Sequence, residues 1–101
     1  MINKIERHRD ICKELNDLYI QKNRAYGDSF GQTYEKLGII SAVTRITDKY
    51  NRIVSLSTNK GIDCGDESIK DTLMDLANYS IMTLIEIEER ERKEESMAYS
   101  D

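Results

Sequence analysis

No proline interrupts the chain of 101 residues, tryptophan is missing, and phenylalanine occurs once. Proline is the residue that most often breaks a helix, so its absence leaves long helices uninterrupted, and the scarcity of large aromatics argues against a strand-rich core. Cysteine is limited to Cys12 and Cys64, far apart and without a CxxC spacing, which excludes a zinc knuckle or redox pair and reads as reduced thiols of the cytosol. Long apolar runs are also missing. The opening residues MINKIERHRD carry no signal-peptide core, and no stretch is long enough to span a bilayer, so a soluble, cytoplasmic protein without membrane partners is expected. Positive charge is in deficit: a formal net charge of −4 argues against duplex nucleic acid as a partner, while leaving room for a local basic stripe that holds the phosphates of a small molecule.

What is present is charge and helical periodicity. The chain is 34% charged and 39% hydrophobic, and its length predicts one all-α domain over residues 1–101. Ile5, Ile11, Leu15, Leu18 and Tyr19 recur at helical spacing and predict a first helix over 4–25. Gly27 ends it, and Asp28 and Ser29 are residue types that cap the start of a helix. A second helix is predicted over 33–57, with Leu37, Ile40, Val43, Ile46, Tyr50, Ile53 and Val54 on one broad face and Ser41, Arg45, Asp48, Lys49 and Arg52 in line opposite. Gly38 weakens it by about 1 kcal/mol relative to alanine and marks a place for a kink or a split. After a loop over 58–66, a third helix is predicted over 67–94, capped by Asp66 or Asp63, with a frayed tail over 96–101.

Three long helices cannot cover their own apolar surface. On the third, Ile69, Leu73, Leu76, Ala77, Leu84 and Ile87 form one stripe, and Met74, Ile81 and Ile85 a second on another side. With two other helices to pack against, the second stripe calls for another subunit, so a homo-oligomeric helical bundle, dimer or tetramer, is expected.

Glu67, Asp71, Asp75 and Asn78 recur at four, four and three, placing three carboxylates in one strip of that helix. Such oxygen ligands suit Mg²⁺ that also holds phosphates. The alternative is neutralisation by Arg45, Lys49 or Arg52 across a helix interface. Those three cations match phosphate oxygens equally well. Lys22, Arg24, Tyr26, Asp28 and Ser29 form either a phosphate and base pocket at a helix joint or an ordinary turn. The tyrosines, Tyr26 and Tyr79 among them, stack on a base or fill a half-buried core. His8 has no nucleophile beside it and reads as plain surface.

Taken as a set, the segments Lys22-Asn23-Arg24-Ala25-Tyr26-Gly27-Asp28-Ser29-Phe30, Arg45-Ile46-Thr47-Asp48-Lys49-Tyr50-Asn51-Arg52-Ile53, Glu67-Ser68 with Asp71, and Asp75-Leu76-Ala77-Asn78-Tyr79 resemble the phage and bacterial family called nucleotide modification associated domain 1. The resemblance covers about residues 15–88. That family is similar to the all-α nucleotide pyrophosphohydrolases of the MazG and dimeric dUTPase type, which implies an oligomeric helical fold, Mg²⁺ held by carboxylates of adjacent helices, and a nucleotide substrate. By that resemblance Glu67, Asp71 and Asp75 are the catalytic, metal-holding carboxylates. Lys22, Tyr26, Asp28, Ser29, Arg45, Lys49, Arg52, Asn78 and Tyr79 then hold the nucleotide, in a pocket between the second and third helices completed by a neighbouring subunit. The E-E-x-x-E arrangement of MazG-type enzymes has no counterpart here, where the earlier helix offers Glu35 and Asp48, far apart. Half of a catalytic metal site is therefore missing or rebuilt, and hydrolysis suffers more from that loss than binding does. Three readings stay open: a phage-type nucleotide binder acting as a Mg²⁺-dependent pyrophosphohydrolase, a non-catalytic protein that sequesters a nucleotide immune signal of antiviral defence, and a structural interaction module.

Overall fold

The structure is a computed structural model that describes residues 1–58 and 65–98, the backbone alone at 65–67. The described residues are helical almost throughout, in the order α1 (Lys4–Tyr26), α2 (Ser29–Leu37), α3 (Ile39–Thr58) and α4 (Gly65–Ala98), with no strand among them. None of these helices is long and apolar enough to cross a membrane.

Four helices stand where three were expected, because the helix predicted over 33–57 is two. Gly38 adopts φ 75° and ψ −164°, a region open in practice to glycine alone, and ends α2 with its N–H donating to the Tyr34 carbonyl at 2.7 Å. Its own carbonyl accepts from the Ser41 N–H at 3.1 Å and hydroxyl at 2.8 Å, so the residue that stops α2 also starts α3. The first of the two pieces begins earlier than 33, at Ser29, because the Asp28 carboxylate caps it by accepting from the Gly31 N–H at 3.3 Å. At the other end of the chain α4 outruns its predicted limit: Ser96, Met97 and Ala98 are helical rather than frayed. α4 also starts earlier than 67, at Gly65, so Asp66 lies inside its first turn and not at its cap. The rest of the tail, the remainder of the predicted loop and the Asp63 cap lie outside the described residues.

α3 and α4 form an antiparallel pair with a fixed register. Arg52 Nε donates to Thr72 Oγ1 at 3.2 Å, and one turn along Lys49 Nζ meets Asp75 Oδ2 at 3.1 Å. Ala42, fully buried, and the half-buried Ile46, Ile53, Leu76 and Thr83 lie along this seam. At about 100° per residue, Val43, Tyr50 and Val54 fall on one flank of the α3 seam and Ser41 and Arg45 on the other. Likewise Leu73 and Leu84 fall on one flank of α4, Asp75, Asn78 and Met82 on the other, and Ile81 nearly opposite the seam. Antiparallel pairing brings the apolar flanks to the same side and the polar flanks together on the opposite side, where α1 and α2 pack.

The apolar side stays open. Leu15, Tyr34 and Ala42 are the buried apolar residues among those described, whereas Tyr50 is 60% and Leu84 59% exposed. Burying a leucine-sized side chain contributes about 1.5–3 kcal/mol, so a single chain gains little from the core that it has.

Candidate functional site

α1 brings Tyr19, Lys22, Asn23 and Tyr26 to one stripe, at the three-and-four spacing that keeps side chains on a common face. Gly27, at φ 66° and ψ −156°, then reverses the chain, with its N–H bonded to the Asn23 carbonyl at 2.7 Å. Asp28 and Ser29 come within the next two residues, and Phe30 of α2 leans over α4 to meet Tyr79, the ring centroids 5.8 Å apart at 35°. The two helix ends, the middle of α4 and the first turns of α3 thus surround a cleft of about 180 Å³, with Tyr26, Phe30, Arg45, Asn78, Tyr79 and Met82 in its wall. That is the room of about six waters at liquid density. It is smaller than the roughly 300 Å³ at which sites for drug-sized ligands begin, so its walls enclose one part of a nucleotide, a base or a phosphate group, and leave the remainder at the open mouth.

The charged groups are arranged unequally. Asp75 lies at the cleft edge with both carboxylate oxygens engaged, Oδ1 by Lys22 Nζ of α1 and Oδ2 by Lys49 Nζ of α3, each at 3.1 Å. Partial burial pushes the Asp75 carboxyl pKa up, but the hydrogen bonds and attraction from Lys49 and Lys22 outweigh it, and the net direction is below the usual carboxylate range. Arg45 lines the same cleft and makes no ion pair among the described residues. Asn78 donates from Nδ2 to the Leu15 carbonyl at 3.1 Å, which pins α1 across α4 and sets the cleft width. Farther along α4, desolvation, then Asp28 and Glu89, hold the Glu86 carboxyl above its ordinary pKa.

The residues expected to form the site are therefore divided. Lys22, Tyr26, Asp28, Ser29, Arg45, Asp75, Asn78 and Tyr79 line one cleft, and Lys49 reaches its edge through Asp75. Arg52 does not join them: it bonds Thr72 farther along the α3/α4 seam. Asp71 is exposed, one turn before Asp75 and outside the cleft wall, and the side chain of Glu67 lies outside the described residues. Among the described residues no three His, Cys, Asp or Glu side chains converge to hold a metal ion. The cleft also draws a wall from α1, not from the two later helices alone.

Asn23, Phe30, Thr33 and Met82 line it too, although sequence reasoning did not place them there. Met82 left a usable signal. It belongs to neither apolar stripe of α4, yet it continues the line of Asp75, Asn78 and Tyr79 at helical spacing, which marks a third face.

No curated protein and no solved structure matches the chain. The model of the family described as nucleotide modification associated domain 1 matches residues 22–87, well over half of the chain and the stretch that carries the cleft from Lys22 to Met82. The chain belongs to that family.

Proposed function

We propose that the protein binds a phosphorylated nucleotide, holding it between the aromatic pair Phe30–Tyr79 and the cations Arg45, Lys22 and Lys49. The observation that carries this reading is the coexistence, in one cleft, of a tilted pair of rings with an arginine that has no ion-pair partner among the described residues. A ring face takes a nucleobase by stacking, and a guanidinium matches phosphate oxygens in fork geometry. Tyr26, 75% exposed at the cleft rim, adds a second stacking surface.

Capture without chemistry fits the donor set better than hydrolysis. A MazG-like pyrophosphohydrolase requires Mg²⁺ on several converging carboxylates, whereas among the described residues no three His, Cys, Asp or Glu side chains converge and Asp71 stands outside the cleft wall. The described residues do not fit the metal. A binder of this type suits the sequestering of a nucleotide signal in the cytoplasm.

The second copy expected from the sequence fits the apolar side of the α3/α4 pair. Two such pairs related by a two-fold axis make a four-helix arrangement with Val43, Tyr50, Leu73 and Leu84 inside. The cleft lies on the far side of each pair and stays accessible.

Isothermal titration with adenosine monophosphate and its di- and triphosphates, in EDTA, tests the reading. Binding that survives EDTA and weakens about tenfold or more in Arg45→Met agrees with it; turnover of any of them only with Mg²⁺, or equal affinity in Arg45→Met, contradicts it.

A further inference from the structure

The two lysines on Asp75 come from different helices. Lys22 reaches it from α1 and Lys49 from α3, both at 3.1 Å, and Arg45 lies one turn from Lys49 on the same polar flank of α3. Two cations from two helices therefore hold one carboxylate, with Arg45 in the wall of the same cleft, and no other anion among the described residues pairs with the two lysines. A carboxylate and a phosphate present the same thing to an ammonium, two or more oxygens sharing negative charge about one centre. Lys22 is 57% and Lys49 28% exposed, so both ends of the clamp reach solvent at the cleft edge and their bonds to Asp75 are of the kind that exchanges readily.

We propose that Asp75 is a resident stand-in for a ligand phosphate: the position between Lys22 and Lys49 is the phosphate subsite of the cleft, and the Asp75 carboxylate competes for it. The inference rests on the nucleotide-binding reading and assigns its phosphate end. An entering phosphate draws Lys22 and Lys49 off Asp75 and toward Arg45. The displaced carboxylate then faces the ligand as a like charge, which favours dianionic or smaller groups that the three cations outweigh. Asp75 lowers affinity while it keeps α1 and α3 drawn onto α4 in the empty protein. This role is opposite to that of a metal ligand, which would attract phosphate through a bridging cation.

Inorganic pyrophosphate and sulfate, titrated calorimetrically in EDTA, serve as probes. Asp75→Asn keeps the shape of the side chain and removes its charge, and about tenfold tighter binding of both anions is expected, the factor that two partly exposed ion pairs impose as competitors. Adding Lys49→Gln to Asp75→Asn should cancel the gain. Asp75→Ser provides a second variant should the amide disturb helix packing, with far-UV circular dichroism as the check on folding. In the wild type, both lysine ammonium signals should shift in NMR spectra on addition of pyrophosphate. Unchanged or weaker anion binding in folded Asp75→Asn and Asp75→Ser overturns the stand-in role, and so do wild-type lysine signals that stay fixed. If a nucleotide binds to the wild type while these anion results fail, the subsite is wrong and the nucleotide reading stands. If no nucleotide binds yet the anions tighten on Asp75→Asn, the subsite stands for a phosphorylated ligand of another class.

Discussion

Gly31 is buried beneath the carboxylate that caps its own helix, and a Cβ there would lie 2.5–2.8 Å from the Asp28 carboxylate atoms. Alanine at this position forces the Asp28 side chain off the Gly31 N–H, so Gly31→Ala and Asp28→Ala should each destabilise the protein by about 1 kcal/mol, the usual worth of an N-cap. The double variant should cost less than the sum, since both remove one interaction. Thermal denaturation of the three variants measures this, and full additivity would show that the cap is not what they share. Asp75 makes the other residue-scale case. Its carboxyl pKa is depressed in the folded state, so its contribution to stability is complete above the ordinary value of 3.8 and is lost as pH falls below it through the folded value. Wild type should lose stability over that acid range more steeply than Asp75→Asn; parallel denaturation midpoints in both proteins would mean that the lysine clamp does not stabilise the fold.

Among the elements, α1 and α4 were the more legible in sequence, because their apolar periodicity is long and uninterrupted. The break between α2 and α3 was legible only as a weak point. Glycine inside a periodic run signals a cost, but whether the backbone turns through positive φ there depends on α2 folding back against α4, which no local pattern specifies. The same distinction applies to the cleft. Lys22, Tyr26, Asp28 and Ser29 cluster along the chain, so proximity was built in, and Asn78 and Tyr79 sit one turn from Asp75. Arg52 shares the polar line of α3 with Arg45, yet the register of the antiparallel pair carries it to Thr72 and away from the cleft. Phe30 reads as ordinary core until the packing of α2 on α4 sets its ring beside Tyr79. The apolar flank of the α3/α4 pair carries its own prediction. Leu84→Glu places a charge on that flank, and it should shift sedimentation toward a monomer and lower the thermal midpoint; a single-chain mass in the wild type would contradict the expected second copy.

At the scale of the whole molecule, a net charge of −4 coexists with a cleft that has Arg45 in its wall and two lysines on the one carboxylate at its edge. On the proposed reading the overall field repels polyanions while the local field admits a small one, so selectivity for compact phosphorylated ligands is expected. The sparse core leaves one side of the α3/α4 pair apolar and open, and the cleft lies on the other, so the proposed second copy and the proposed ligand take different sides. Both assignments have one origin in the periodicity, since each long helix carries a seam with one polar and one apolar flank.

On the proposed reading this cleft retains a nucleotide intact. The most direct measurement is to incubate the purified protein with a mixed panel of nucleotides and cyclic nucleotides plus Mg²⁺, wash it, denature it, and identify the released compounds by mass spectrometry. One unaltered phosphorylated nucleotide, released on denaturation and lost in Arg45→Met, is the expected result. Conversion of a triphosphate to monophosphate and pyrophosphate, or a protein that retains nothing, would contradict it.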